Sequence, residues 1–483
     1  MHLKSLLIML TILSFEVNCV WSDAEERPPN VVIIFTDDQG WFDLGANGGN
    51  HVSTPYLDQM AKEGLRFTDF YVAQPVCSAS RAALLTGCYP NRLGIAGALN
   101  PNARHGIHQD EITLAEVCKS QGYATAAYGK WHLGHHPQFL PVHHGFDDYF
   151  GIPYSNDMWP QHPEARKGTY PPLPLIEDDQ VVETSPDQRR FTTEFTQRAV
   201  DFIKRHKNEP FFVYLAHPMP HVPLAVHNDR KDATGMGTYA DVIGEIDWSV
   251  GQVLNTLDEL GLDNNTLVLF MSDNGPWLSY GNHAGQTGHL REGKGTTFEG
   301  GVRVPSIARW PGHVPANQVT KAPVMTIDVL PTIAELIDAP IPGSDGQRPI
   351  DGRSYKDLLL GQPGATSPQE TYFFYYHDNH LEAMRHNKWK LHFPHGYRTM
   401  GNRPVGDDGM PGKYDYSAKI DLALYDLEAD PSEANNVVDE YPEVVAELIA
   451  LADTKRQALG DRLTKVQGTE NREPGRVSQP PSK

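Results

Sequence analysis

Cysteine is scarce in this chain, with four in 483 residues. Cys19 falls in an N-terminal segment that reads as cleaved, so Cys77, Cys88 and Cys118 remain. Cys88 and Cys118 are open to either reading, a disulfide in an oxidising compartment or two buried core thiols. Long apolar runs are also lacking. Leu6 to Phe15 is too short to cross a bilayer, and with His2 and Lys4 before it and Val20-Trp21-Ser22 after it, residues 1–22 read as a secretory signal on an exported protein with no membrane span. Basic residues are outnumbered, 41 against 61, and the net charge of −20 argues against nucleic acid or an anionic membrane as the main partner. An anionic ligand would have to be drawn by a local cluster of cations. No internal repeat is visible.

What is present is a repeated unit. Val31 to Phe35 runs into Asp37-Asp38, Tyr123 to Tyr128 into Lys130-Trp131-His132, Phe211 to Ala216 into His217 and His221, and Leu267 to Met271 into Ser272-Asp273-Asn274-Gly275. Such continuous β-branched and aromatic runs are the mark of strands buried on both faces. Helical patterns alternate with them. Thr54-Pro55 opens one that Gly64 closes, Thr113 and Glu116 form a capping box, and Tyr239 to Leu257 keeps helical spacing until Gly261. The fold class is therefore α/β, a large, mostly parallel central sheet flanked by helices, with ligands bound at the carboxyl ends of its strands. All four polar clusters fall at that edge.

Residues 28–365 form the expected large domain. The Pro-, Gly- and Asp-rich stretch from Pro340 to about Gln369 reads as a boundary. Residues 366–462 follow as a small antiparallel sheet with a final helix near 443–459, and residues 463–483 as a polar tail expected to be disordered.

Cys77-Ser78-Ala79-Ser80-Arg81-Ala82-Ala83-Leu84-Leu85-Thr86-Gly87 is the most informative stretch. Ser80 to Leu85 predicts a helix ended by Gly87, with Cys77 at its N-terminal mouth, where the helix dipole lowers a thiol pKa and attracts anions. Arg81, four residues on, shares that face. On these grounds alone, a buried inert cysteine beside a surface arginine is an equal reading. Likewise, Asp37-Asp38 or Asp273-Asn274 alone is a turn or a cap. Together they supply three carboxylates and an amide carbonyl, a set suited to a hard cation, Ca²⁺ before Mg²⁺, rather than zinc.

Cys-x-Ala-x-Arg followed by Ala-Ala-Leu-Leu-Thr-Gly resembles the signature of the type I sulfatases, whose cysteine is oxidised to formylglycine by a formylglycine-generating enzyme. Gly129-Lys130-Trp131-His132-Leu133-Gly134 and Gly293 to Gly301 match the same family. Gly151-Ile152-Pro153-Tyr154-Ser155-Asn156-Asp157 resembles its arylsulfatase A and galactosamine-6-sulfatase members. The resemblance covers about Pro29 to Leu427 and implies an alkaline phosphatase-like fold with a small C-terminal subdomain. It further implies that Asp37, Asp38, Asp273 and Asn274 hold the metal with modified Cys77, that Arg81 and His132 hold the hydrated aldehyde, and that Lys130, Lys294 and His221 grip the sulfate, with Ser155 nearby. In Ala216-His217-Pro218-Met219-Pro220-His221 it singles out His221, not His217. One hydroxyl of the hydrate would attack sulfur and the other, deprotonated by His132, would expel sulfate; His221 or Lys294 would protonate the departing alcohol.

The implied substrate is a sulfate ester, on a sulfated carbohydrate in preference to a small aryl compound or sulfolipid. Leaving-group recognition is expected from Met158 to Gln188 and His377 to Arg398. The competing readings are a phosphate or phosphonate monoester hydrolase of the same superfamily and a non-catalytic binder of sulfated glycans whose Cys77 stays a thiol.

Overall fold

The computed structural model describes residues 27–477, so the signal reading for residues 1–22 and the end of the tail lie outside the described residues. Eleven strands form the large sheet. In chain order they are β1 (Asn30–Thr36), β2 (Leu65–Tyr71), β3 (Ala124–Lys130), β4 (Asp148–Ile152), β5 (Pro174–Glu177), β6 (Gln180–Thr184), β7 (Phe211–Ala216), β8 (Thr266–Ser272), β9 (Arg303–Arg309), β10 (Gln318–Thr320) and β11 (Val324–Met325). Their spatial order is β10-β2-β9-β8-β1-β7-β3-β4-β5-β6, with β11 beside β2. The centre, β8-β1-β7-β3-β4, is parallel, and β9 joins it antiparallel. The four strands followed by polar clusters are therefore neighbours, and their carboxyl ends share one edge.

Every residue of β1 is buried, because its alternate side chains feed two cores. Val31, Ile33 and Phe35 enter one, with α2 (Cys77–Thr86), α3 (Leu114–Ser120) and α6 (Val329–Leu336). Val32 and Ile34 enter the other, with α1 (Pro55–Lys62), α4 (Phe191–Arg205) and α5 (Thr238–Glu259). The capping box of α3 forms as the sequence predicts. The start of α1 differs. Thr54 makes no cap to the helix backbone; instead Asp247 of α5 accepts from Tyr56 N at 3.1 Å and Leu57 N at 2.8 Å. Nor does Gly64 cap the far end, where Glu63 holds ordinary helical angles.

A second sheet of four antiparallel strands, β12 (Thr371–Tyr376), β13 (His380–His386), β14 (Trp389–His392) and β17 (Ala423–Asp426), carries the hairpin β15 (His395–Thr399) with β16 (Asp415–Ile420) and is followed by α7 (Pro442–Leu459). It does not stand apart. Tyr372, Phe374, Leu381, Met384 and Leu448 belong to the same core as Ala82 and Leu84 of α2. The Pro- and Gly-rich connection before it is likewise pinned. Buried Asp351 accepts from Arg92 and from Lys455, each at 2.8 Å, and the amides of Asp351 and Gly352 both donate to Gly87 O at 2.9 Å.

The polar stretch past Leu463 is also more ordered than its composition predicts. Residues 475–476 pair with 105–106, and Arg472 reaches buried Glu111 at 3.1 Å. Charged side chains that find fixed counter-charges on the large domain replace the apolar contacts this segment lacks. Cys88 and Cys118 are both buried and free, so of the two readings the core thiols hold. Among the described residues no helix is long and apolar enough to cross a membrane.

Candidate active site

Strand ends bring the oxygen ligands together. Asp37 and Asp38 follow β1, Asp273 and Asn274 follow β8, and Asp273 N donates to Thr36 O at 3.0 Å across the two ends. Asp38 has φ 64°, a left-handed conformation costly for a residue with a Cβ, which turns the chain sharply off the strand. All four side chains are buried. The Asp37, Cys77 and Asp273 ligand atoms lie within 4.8 Å of one another, as do those of Asp37, Asp38 and His221.

Asp37 Oδ1 and Asn274 Oδ1 are buried without a hydrogen-bond partner. Burial and the adjacent Asp37, against Arg81, push Asp273 up to about 7. Crowded carboxylates with spare lone pairs fit a hard divalent cation, which would relieve both the repulsion and the unmet acceptors.

Cys77 is the first residue of α2, 2% exposed, and Gly87 ends that helix at φ 68°, as the sequence predicts. The predicted low thiol pKa is corrected. Burial pushes Cys77 up to about 11, with Asp37 and Asp273 adding to it against Lys130 and Lys294. A helix terminus sealed from water and facing carboxylates does not leave a reactive thiolate. Arg81 is fully buried, not a surface arginine; it donates to Lys130 O at 2.9 Å and Asp273 Oδ2 at 2.8 Å.

Three cations and a neutral imidazole complete the site. Lys130, at the end of β3, donates to Asp37 and, at 3.0 Å, to Ser155 Oγ. Lys294 Nζ lies 2.7 Å from Asp38 Oδ1 and 4.6 Å from the centre of the Trp277 ring. Its loop is held from the C-terminal sheet, since Arg398 donates to Lys294 O and Glu382 accepts from Thr297 at 3.2 Å.

His132, at φ 62°, has its Nε2 2.8 Å from Leu99 O and its Nδ1 buried and free. A carbonyl can only accept, so Nε2 carries the hydrogen. Burial, then Lys130 and Arg81, hold this ring well below the ordinary histidine range, leaving Nδ1 a vacant base. His221 donates from Nδ1 to Val222 O at 2.6 Å and sets Nε2 3.7 Å from Asp38 Oδ2. His217 bonds Ser249 at 2.9 Å, burial pushes it down to about 3, and it takes no place among these groups.

These residues open into a pocket of about 170 Å³ lined by Cys77, Ser155, His221 and Lys294, with Asp157, Met158, Trp277, Tyr376 and Arg398 around them. The predicted carboxylates, Asn274, Cys77, Arg81, the two lysines, His132, His221 and Ser155 are thus brought to one place, and His217 is not. Trp277 was not foreseen, and Asp157 only as part of a motif. Of the stretch from Met158 to Gln188, Met158 alone lines the pocket, because the rest includes the edge hairpin of β5 and β6.

Fold and site together define a hydrolase of alkaline phosphatase-like architecture. Residues 29–339 match the Sulfatase family, residues 367–477 the C-terminal region of aryl-sulfatase, and residues 291–394 the C-terminal part of N-sulphoglucosamine sulphohydrolase. Arylsulfatase A of Bos taurus is 40% identical over 446 residues, covering 88% of this chain and 86% of its own. N-acetylgalactosamine-6-sulfatase of Mus musculus is 39% identical over 408 residues, 80% and 76% of the two chains. Among solved structures, a sulfatase from Pseudoalteromonas sp. superposes with a TM-score of 0.78 at 26% identity, covering 93% of this chain and 92% of that one. The chain belongs to the sulfatase family and is a sulfuric ester hydrolase.

Proposed function

We propose that the protein hydrolyses a sulfate ester of a carbohydrate, with activity on aryl sulfates, through a formylglycine made from Cys77 and a Ca²⁺ ion held by Asp37, Asp38, Asp273, Asn274 and residue 77. The observation that carries this is the convergence of unpartnered carboxylate and amide oxygens, two buried lysines and a neutral His132 around one cysteine. Oxidised Cys77 supplies an aldehyde whose hydrate offers one hydroxyl to attack sulfur and another to release it. Bound Ca²⁺ supplies Lewis acidity toward the sulfuryl oxygens.

The remaining chemistry belongs to the chain. Lys130, steadied by Ser155, and Lys294 neutralise the sulfate, and their burial makes each charge act in a low dielectric. His132 Nδ1 takes a proton at residue 77, and Arg81 keeps that side chain in place. His221, with Nδ1 bound to Val222 O and Nε2 open to the pocket, hands a proton to the departing alcohol, or Lys294 does. The carbohydrate preference is supported by the galactosamine-6-sulfate named for the mouse relative. Export of the chain and prior action of a formylglycine-generating enzyme complete the reading.

Turnover of nitrophenyl sulfate and nitrophenyl phosphate by protein coexpressed with that enzyme tests it, beside the mass of the peptide containing residue 77. Sulfate favoured, with residue 77 carrying the aldehyde, is the expected result; phosphate favoured by orders of magnitude, or an unmodified thiol in active protein, overturns it. Cys77→Ser is expected to fold and to bind Ca²⁺ by calorimetry, yet to lose turnover.

A further inference from the structure

Asp157 is the one carboxylate among the residues lining the pocket, and an anionic substrate makes its presence there a cost. The residue is 8% exposed, its Oδ1 is buried without a hydrogen-bond partner, and its Oδ2 is 3.8 Å from His162 Nε2, beyond hydrogen bonding. It follows Ser155, the partner of Lys130, by two residues. Arg398, the lining cation that would otherwise answer it, spends Nε and Nη2 on the carbonyl of Lys294.

A buried acceptor left unmet beside cations that hold an anion repels that anion unless the ligand brings a donor of its own. A nitrophenyl sulfate carries no donor on its ring. A sulfated pyranose carries hydroxyl or acylamino N–H groups on ring carbons near its ester, the C4 hydroxyl in the case of a 6-sulfate, and the half-buried Trp277 ring offers an apolar wall for the C–H face of such a ring.

We propose that Asp157 is a specificity-determining residue that accepts a hydrogen bond from a ring hydroxyl or amide N–H of the sulfated residue itself, which commits the site to a sulfated sugar residue. This rests on the sulfatase reading above. A site built around a ligand donor rejects the analogue lacking it far more strongly than it rejects a change of shape.

The test compares kcat/KM for 4-nitrophenyl sulfate with that for a panel of monosulfated methyl pyranosides, in the full chain carrying the converted residue 77. In Asp157→Asn the ratio of the best pyranoside to the aryl ester is expected to fall tenfold or more. In the unaltered protein, removing one ring hydroxyl or N–H of that pyranoside, tested position by position, is expected to give a similar fall at one position, which disappears in Asp157→Asn. A ratio altered less than tenfold, a panel on which no deoxy analogue loses tenfold, or no turnover of any pyranoside overturns the proposal. The deoxy series needs no variant, so it decides the matter even where Asp157→Asn does not fold. Failure to turn over both 4-nitrophenyl sulfate and every sulfated pyranoside would instead remove the sulfatase reading, and this proposal with it.

Discussion

His132 and His217 are both buried histidines without charge, and their surroundings give them different work. His132 keeps a free Nδ1 in the field of Lys130 and Arg81, whereas His217 has only Ser249. His132→Asn is expected to lower kcat by about 100-fold or more with little change in the unfolding midpoint, the loss typical of removing a general base. His217 acts on stability. Its value in the fold, about 3, lies below the ordinary 6.5, so its contribution is complete above pH 6.5 and is lost as pH falls from there toward 3. Between pH 6.5 and 5 that amounts to about 2 kcal/mol. Urea unfolding of His217→Gln should therefore fall less steeply with acidification than that of the parent protein. Resemblance to the sulfatase motifs made Cys77, Arg81, Lys130 and His132 legible in the sequence, where residue types and spacing alone left Cys77 and Arg81 open. The direction of the Cys77 shift was not legible, because it depends on burial and on Asp37 and Asp273, which reach it from other strands.

Elements were legible where their signals are local. The strand runs, the capping box of α3 and the end of α2 at Gly87 each depend on residues within a few positions. The start of α1 does not, since its cap comes from Asp247 on α5, 191 residues beyond Tyr56. Thr54 is occupied elsewhere, donating to Asp58 Oδ1 at 3.1 Å and accepting from Gly45 N at 2.9 Å. Asp247→Ala removes an acceptor from two helix amides and should cost about 1 to 2 kcal/mol in denaturant unfolding. Because α1 lies in the core opposite α2, the same variant should keep its kcat.

Across the whole molecule, the C-terminal sheet acts as part of the catalytic scaffold. Composition suggested a boundary and a free tail, yet Lys390 on β14 sits fully buried between Glu299 at 2.8 Å and Glu433 at 3.0 Å, and Glu433 accepts from Glu299 N at 2.7 Å. Those contacts fasten the stretch from Arg291 to Val302, which carries Lys294, to β14 and the segment before α7. Lys390→Met takes the shared lysine from two buried carboxylates, leaving Glu299 Arg303 at 3.4 Å as its cation, and is expected to destabilise by about 3 to 5 kcal/mol, read as a lowered urea midpoint, with KM for nitrophenyl sulfate rising as Lys294 loses its support. The Lys390–Glu299 and Glu299–Glu433 pairings span 91 and 134 positions of chain, and no local pattern announces them.

The burial of Cys77 also sets an order of events in time. At 2% exposure, in the first turn of α2 at the wall of a pocket of about 170 Å³, its sulfur is out of reach of another enzyme's catalytic groups once the chain has folded. On the formylglycine reading proposed above, conversion and folding would be in a race that conversion must win before the segment is buried. Chain that folds first is locked in an inactive form for as long as it stays folded. The active fraction of a preparation then records how slowly the nascent chain closed over that residue, a history that no treatment of the finished protein short of unfolding can rewrite.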